Sequence, residues 1–387
     1  MESYMRLVMF LVALLAFWIL LLVFSKTKKF ERLEVKPFLL IYKIGKSIER
    51  KRGTFFDFLG SIGWIGLPVL FVSALFFYFI IGDAVYYRYF SPEPPQDEIP
   101  RGIVPLLPGV TIPLDINLVL ALFSIGLAVL VHEVGHALSA ASLGLRVKDS
   151  GMILLAFIPA AFVELDEESF RRASWSVKTR VLSAGVTSNI VLAFLALALL
   201  LSAPIPQPDG VMIESVELGS VAEKAGLAPG DVVRYVNGLE VKSVADFRKV
   251  LEELGVFDES VETSFEIAIV REGKVLVLSI TKPVGEDRLG VTLSNVYSGM
   301  NNVLLALIIT LRTLFVINLA LALINAAPLI IPSPWGNLMT DGAQVIKETL
   351  TPLLGERLSG VTLSALGLAT LLLTLSVITL EPLRFVP

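Results

Sequence analysis

Six stretches of this chain run almost free of charge: 7–24, 59–82, 116–131 with its continuation to 145, 181–203, 313–331 and 359–380. A helix needs about 20 predominantly apolar residues to cross a hydrocarbon core of roughly 30 Å, and each stretch reaches or approaches that length. So much apolar surface has no stable place in water. The pattern predicts a multi-pass α-helical membrane protein with about six transmembrane helices. Composition agrees, since 55% of the 387 residues are hydrophobic and only 18% charged, against about 25% charged in an ordinary soluble domain. That imbalance argues against a large soluble enzyme with one core. The first stretch is too long for a signal-peptide core, and no small-residue cleavage site precedes Lys26, so it reads as an uncleaved span.

Loop charges predict the orientation. The 25–58 loop holds ten Lys and Arg, the 146–180 loop six and the 332–358 loop two, whereas the 83–115 loop holds two and the N-terminal flank one. Positive residues stay inside, which places the rich loops in the cytoplasm and both termini outside. The 83–115 loop carries seven of the 21 prolines and reads as an extended connector. The net charge of -4 is small, and no basic block outside one loop invites nucleic acid. Cysteine is absent, which excludes disulfides, thiolate ligands and Cys nucleophiles.

The apolar pattern breaks at residues 206–296. Alternating runs (VMIESV, DVVRYVNG, SFEIAIV, KVLVLSI) surround one helical stretch, VADFRKVLEEL, with turns at Gly226, Gly230 and Gly238. They predict an inserted α+β domain on the outer side. Four regions follow: two helices with their loops (1–115), a first membrane core (116–205), the insert (206–296), and a second membrane core with a last helix (297–387). The apolar run 152–163 is too short to span as a helix and contains Pro159, so it is predicted to be a re-entrant hairpin or strand pair.

Only two histidines exist, and both lie in His132-Glu133-Val134-Gly135-His136. On a helix, i and i+4 imidazoles share one face and can hold a single Zn²⁺. Glu133 between them can take a proton from the water that the metal activates. By chance such a motif is expected in roughly one in a thousand chains like this. Ionisable groups near the end of a membrane helix are costly and mark function. Catalytic zinc takes three protein ligands, and without a third histidine or any cysteine the third must be a carboxylate. Asp149, Glu164, Asp166, Glu167, Glu168, Asp341, Glu348 and Glu356 lie on the right side. Most stand among other charges; Asp341, just beyond the fifth apolar run and followed by Gly342, stands apart.

HEVGH in a membrane helix, Gly185-Val-Thr-Ser-Asn189 in the next, and Asn325-Ala-Ala-Pro328 leading to Asp341-Gly342 together resemble the site-2 protease family of intramembrane zinc metalloproteases. The resemblance spans roughly 116–345. It implies that His132, His136 and Asp341 bind one zinc, that Glu133 is the catalytic base, and that Asn189 and Asn325 are polar groups near the substrate or oxyanion. The family pattern puts Leu-Asp-Gly close after the proline; here about eight further residues intervene and Thr340 replaces the leucine. The insert, with Gly219-Ser-Val-Ala-Glu-Lys-Ala-Gly226-Leu, Pro229-Gly230-Asp231 and Asn237-Gly238, resembles a PDZ domain of bacterial and archaeal proteases. That likeness implies peptide capture by strand addition, with Gly210, Val211, Met212 and Ile213 as the receiving loop and strand, or a steric filter.

These features together read as an endopeptidase in the cell membrane, its site near the cytoplasmic face. It would cut transmembrane segments of protein substrates that have already lost an outer domain. Two other readings follow from the same residues. One is a PDZ-bearing receptor or scaffold with a structural or inactive metal site; the other is a membrane zincin acting on soluble or lipidated peptides.

Overall fold

The computed structural model describes residues 2–27, 32–45, 57–58, 63–91, 102–204, 207–297, 302–331 and 337–379. Its elements follow the hydrophobic pattern in chain order. Helix α1 is Glu2–Thr27, followed by strands β1 (Leu33–Lys36) and β2 (Leu39–Lys43). A 3₁₀ turn at Gly63–Ile65 leads into α2 (Gly66–Tyr89), and α3 is Ile116–Ser142. Strands β3 (Val147–Leu155) and β4 (Ile158–Leu165), the short α4 (Glu167–Arg172) and the long α5 (Trp175–Ser202) complete the first half. The insert supplies β5 (Gly210–Val216), α6 (Val221–Lys224), β6 (Val232–Val236), β7 (Leu239–Glu240), α7 (Val244–Glu253), β8 (Thr263–Arg271), β9 (Lys274–Lys282) and β10 (Val291–Val296). The chain ends through α8 (Asn302–Ala326), β11 (Ile330–Ile331), β12 (Leu338–Met339) and α9 (Asp341–Ser376).

Among the described residues, α1, α2 with its 3₁₀ turn, α3, α5, α8 and α9 are long and apolar enough to cross a membrane. Six apolar runs thus become six helices, as predicted. The last is two helices in one. Pro352 removes a backbone donor, and Gly355 at φ 75° and ψ 165° breaks the helix. Its first segment, carrying Lys347 and Glu348, lies outside the sixth apolar run. Residues 332–336, including Pro332, Pro334 and Gly336 of the extended late motif, lie outside the described residues, as do Arg50, Lys51, Arg52 and residues 92–101 of the proline-rich loop.

The apolar run 152–163 folds as strands, in agreement with the prediction of a hairpin. Strands β3 and β4 pair antiparallel from Val147↔Leu165 to Leu155↔Ile158, with a tight turn at Ala156-Phe157. Ala156 takes φ 55°, an unfavourable value for an L-residue. Two bonds hold it there: its N–H donates to Phe38 O at 2.8 Å, and its carbonyl accepts from Trp18 Nε1 at 2.9 Å. Trp18 is the one fully buried side chain among the described side chains of α1. The basic 25–58 loop contributes an element that its charges did not announce: β2 pairs with β3, giving a sheet in the order β1-β2-β3-β4. Strand β4 is therefore an edge. It runs beside α3, where a Cβ on Gly126 would stand 3.2 Å from Pro159 Cγ.

The insert lies within a separate compact unit, residues 203–308. Its sheet runs β10-β5-β6-β8-β9, with β7 paired to β6. Alternation on β5, β6 and β8 buries Val211, Ile213, Val233, Val236, Ile267 and Ile269 beneath Phe247 and Leu251 of α7. Ser243 and Asp246 form a capping box that starts α7. All members of this core come from the insert itself.

Candidate metal centre

His132 and His136 project from one face of α3 with ring centroids 4.7 Å apart, and their Nε2 atoms are 3.1 Å apart. Asp341, the first residue of α9, brings Oδ2 to 3.2 Å from His132 Nε2 and 3.4 Å from His136 Nε2. His132 and Asp341 are each only 6% exposed. His136 Nδ1 lies 2.8 Å from Val181 O on α5. A carbonyl oxygen only accepts, so Nδ1 carries the proton and Nε2 of the neutral ring keeps its lone pair. That arrangement is how a second partner fixes a metal-ligating histidine.

Three electron-rich atoms therefore face one another in a buried pocket, which is unfavourable unless a cation lies between them. Asp341 Oδ2 and His132 Nδ1 are buried without any hydrogen-bond partner. Ligands held at about 2.0–2.1 Å from zinc with tetrahedral angles stand about 3.3 Å apart, and the observed separations of 3.1, 3.2 and 3.4 Å match. Two imidazoles and one carboxylate make a donor set suited to catalytic zinc. Among the described residues these three form the group able to hold a metal ion. A Cβ on Gly185 would lie 2.5 Å from His136 Nε2 and 2.7 Å from His132 Nε2. Only glycine leaves room for both rings. Gly135 serves similarly in the neighbouring layer, where a Cβ would collide with Ser188 Oγ on α5.

Asp341 is held by its neighbours. Thr340, in place of the family's leucine, caps α9: its hydroxyl donates to Ala327 O at 2.5 Å and accepts from Leu329 N at 3.1 Å. Gly342 lies against Ala326 O, too close to admit a side chain. These contacts bring the carboxylate to the histidines despite the longer connection. Five of the seven other acidic residues weighed from the sequence are engaged elsewhere. Asp149 accepts from Ser150 N, Glu164 pairs with Lys148, Asp166 caps α4, Glu168 pairs with Arg172 and Glu348 pairs with Lys178.

Glu133 Oε2 accepts from Val163 N on β4 at 3.0 Å, a partner that no sequence pattern named. Because Val163 directs its N–H away from β3, so does Ala161, and the backbone nitrogen of Pro159 faces the same way, each two residues apart along the strand. Pro159 lacks an N–H, and on this outward edge none is missed. Asn189 lies one turn beyond Gly185 on α5, fully buried, with both amide atoms unpartnered. Asn325 is half-buried, and its Nδ2 donates to Leu321 O of its own helix at 3.0 Å.

The peptide-receiving assignment of Gly210, Val211, Met212 and Ile213 does not survive. These residues lie on β5, which pairs with β10 on one side and at Val211 and Met212 with β6 on the other. An interior strand has no free ladder to offer. The edges of this sheet are β10 and β9, and β10 is tied to α7 by Val244 N donating to Asn295 Oδ1 at 2.8 Å.

Comparison with known proteins adds an independent line. The sequence model described as Peptidase family M50 matches residues 120–376. An uncharacterized protein of Methanocaldococcus jannaschii is 29% identical over 243 residues, 60% of each chain. A membrane-bound transcription factor site-2 protease homolog of Arabidopsis thaliana is 29% identical over 143 residues, 36% of this chain and 27% of that one. The regulator of sigma-W protease RasP of Bacillus subtilis is 27% identical over 111 residues, 28% and 25% of the two chains. The chain thus matches 60% or less of the length of each of these relatives.

Proposed function

The chain belongs to peptidase family M50, the site-2 protease family, and from that premise we propose that it is an intramembrane zinc endopeptidase acting on transmembrane segments of other proteins. The observation that carries the reading is the convergence of His132, His136 and Asp341 to within 3.4 Å of one another beside Glu133. Those three residues would hold the metal. Zinc, when bound, supplies a Lewis acid and makes water acidic enough to react near neutral pH. Glu133 takes a proton from the attacking water and passes it to the departing amine. Asn189, buried with no partner for its amide, offers a donor to the carbonyl oxygen as charge develops there.

A membrane helix keeps every backbone amide paired, so a substrate must unwind before its peptide bonds can be reached. The outward edge of β4 supports this step. The Ala161 N–H and the outward carbonyls of this edge would receive an extended segment by strand addition, next to the carboxylate that Val163 holds. The positive loops support a site near the cytoplasmic face, with the insert on the outer side of the cell membrane. If the insert captures peptide, the receiving strand is β10 rather than β5. Substrates already shortened on the outer side are those that such an insert admits.

Membrane fractions from cells carrying the wild-type chain or Glu133→Gln provide the test. Membrane-protein fragments should accumulate with the wild type alone. Identical fragment profiles in the two would sink the proposal.

A further inference from the structure

Asp341 comes from a helix far along the chain, yet it must meet imidazoles from α3 with sub-ångström register. A one-residue slip turns a helix by about 100° and moves it about 1.5 Å, which would remove the carboxylate from the pocket. Thr340 ties the start of α9 to the end of α8, but neither partner belongs to the walls of the metal pocket. Those walls are α3 and α5, through Val181 O and Gly185. Something must set α9 against α5.

Two turns below the pocket on both helices, Lys178 Nζ of α5 meets Glu348 Oε2 of α9 at 2.8 Å, with side chains only 14% and 27% exposed. Lys178 lies seven residues before Gly185, and Glu348 seven after Asp341, so each shares a face with the pocket residue of its own helix. Beside the pair, Trp175 Nε1 donates to Thr349 Oγ1 at 3.0 Å. Between the pair and the pocket, Val345 of α9 packs in one apolar cluster with Leu182 and Val186 of α5. Apolar packing tolerates a slip; a largely buried ion pair and an indole hydrogen bond do not. For stability alone, an apolar pair would serve as well.

We infer that Lys178 and Glu348 are positioning residues that set the rotation of α9 and so present Asp341 to the metal. The inference rests on the zinc reading above. It places the pair in indirect control of metal retention, about 10 Å from the ligands.

The test uses the full chain in detergent, loaded with zinc and challenged with a chelator well below its melting temperature. Lys178→Met and Glu348→Gln should each release zinc about ten-fold faster or more, the scale of supporting-residue effects on metal sites, at a temperature where each variant is still folded. The swapped pair, Lys178→Glu with Glu348→Lys, should return release to near the wild-type rate. Wild-type release from both single variants overturns the inference, as does release that only tracks lost thermal stability and is not restored by the swap. Should a single variant misfold, Trp175→Phe keeps an aromatic ring and removes the bond to Thr349. It should speed release in the same direction, and no change there overturns the inference too. Asp341→Asn serves as the control. Fast release from it alone overturns the pair and leaves the zinc reading intact, whereas full zinc retention by Asp341→Asn overturns that reading itself.

Discussion

Among the described residues two aspartates are buried, Asp231 in the insert at 1% exposure and Asp341 in the helical unit at 6%, and their surroundings differ in kind. Asp231 is complete: Arg271 Nε and Nη2 donate to its two oxygens at 2.7 Å each, and Ala228 N donates at 2.8 Å. Burial alone would push its carboxyl up. The bonds from Arg271 and Ala228, with the guanidinium charge, outweigh burial and hold it below the ordinary carboxylate value. Asp341 has no such set, and its Oδ2 faces two ring nitrogens without a hydrogen bond. Buried polar groups normally find partners, so a finished cluster reads as structure and an unfinished one as a place for a ligand. The same logic covers Lys282, fully buried yet satisfied by Asp258 O and Glu286 O.

Closing the unfinished site should have the largest effect. Gly185→Ala puts a methyl group among the imidazole nitrogens, and measured zinc content and cleavage should both vanish while helix content stays. Asp341→Asn should lower zinc affinity by about 100-fold or more, because two histidines alone leave the metal one ligand short. Zinc content near wild type in either variant would erase the contrast. Opening the finished site should act elsewhere. Arg271→Met leaves Asp231 without its main partner, and the insert (207–297) expressed alone should melt about 5 °C lower or more, whereas zinc binding by the full chain should not change.

The smallest effect is a pH slope. Folded Asp231 releases its proton more readily than the unfolded residue, so its contribution is full above the ordinary carboxylate value, about 4. It is lost as the pH falls through the lower folded value. Melting of the insert between pH 5 and pH 2 should therefore decline less steeply in Asp231→Asn than in the wild type. Parallel slopes would remove Asp231 from the account of acid stability.

The helices were legible because their signal is composition over a long window, and the two histidines were legible because the i, i+4 rule places them on one face. Asp341 was legible from its isolation next to Gly342, but not its docking, which depends on Thr340 meeting the carbonyl of Ala327. Backbone partners left no trace in the sequence. The carbonyl of Val181 and the N–H of Val163, which orient His136 and Glu133, are groups that every such residue carries. Strands β1 and β2 were hidden differently: Leu33 and Val35 alternate with Glu34 and Lys36, yet the surrounding basic residues read as a solvated loop. Strand β10 was missed too, and that misplaced the open edge of the insert onto β5. Pairing order is set by contacts far apart in the chain, and alternation within one strand does not report it.

If a metal held by His132, His136 and Asp341 works with Glu133 as a base that is not a ligand, zinc loading and turnover separate at Glu133. Zinc per chain and hydrolysis of a membrane-spanning peptide, measured on the same purified preparations of wild type and Glu133→Gln, test it most directly. About one zinc per chain is expected in both proteins, with cleavage by the wild type and a loss of at least about 100-fold in the variant. Comparable cleavage by Glu133→Gln, or cleavage by a wild-type protein that binds no zinc, would contradict it.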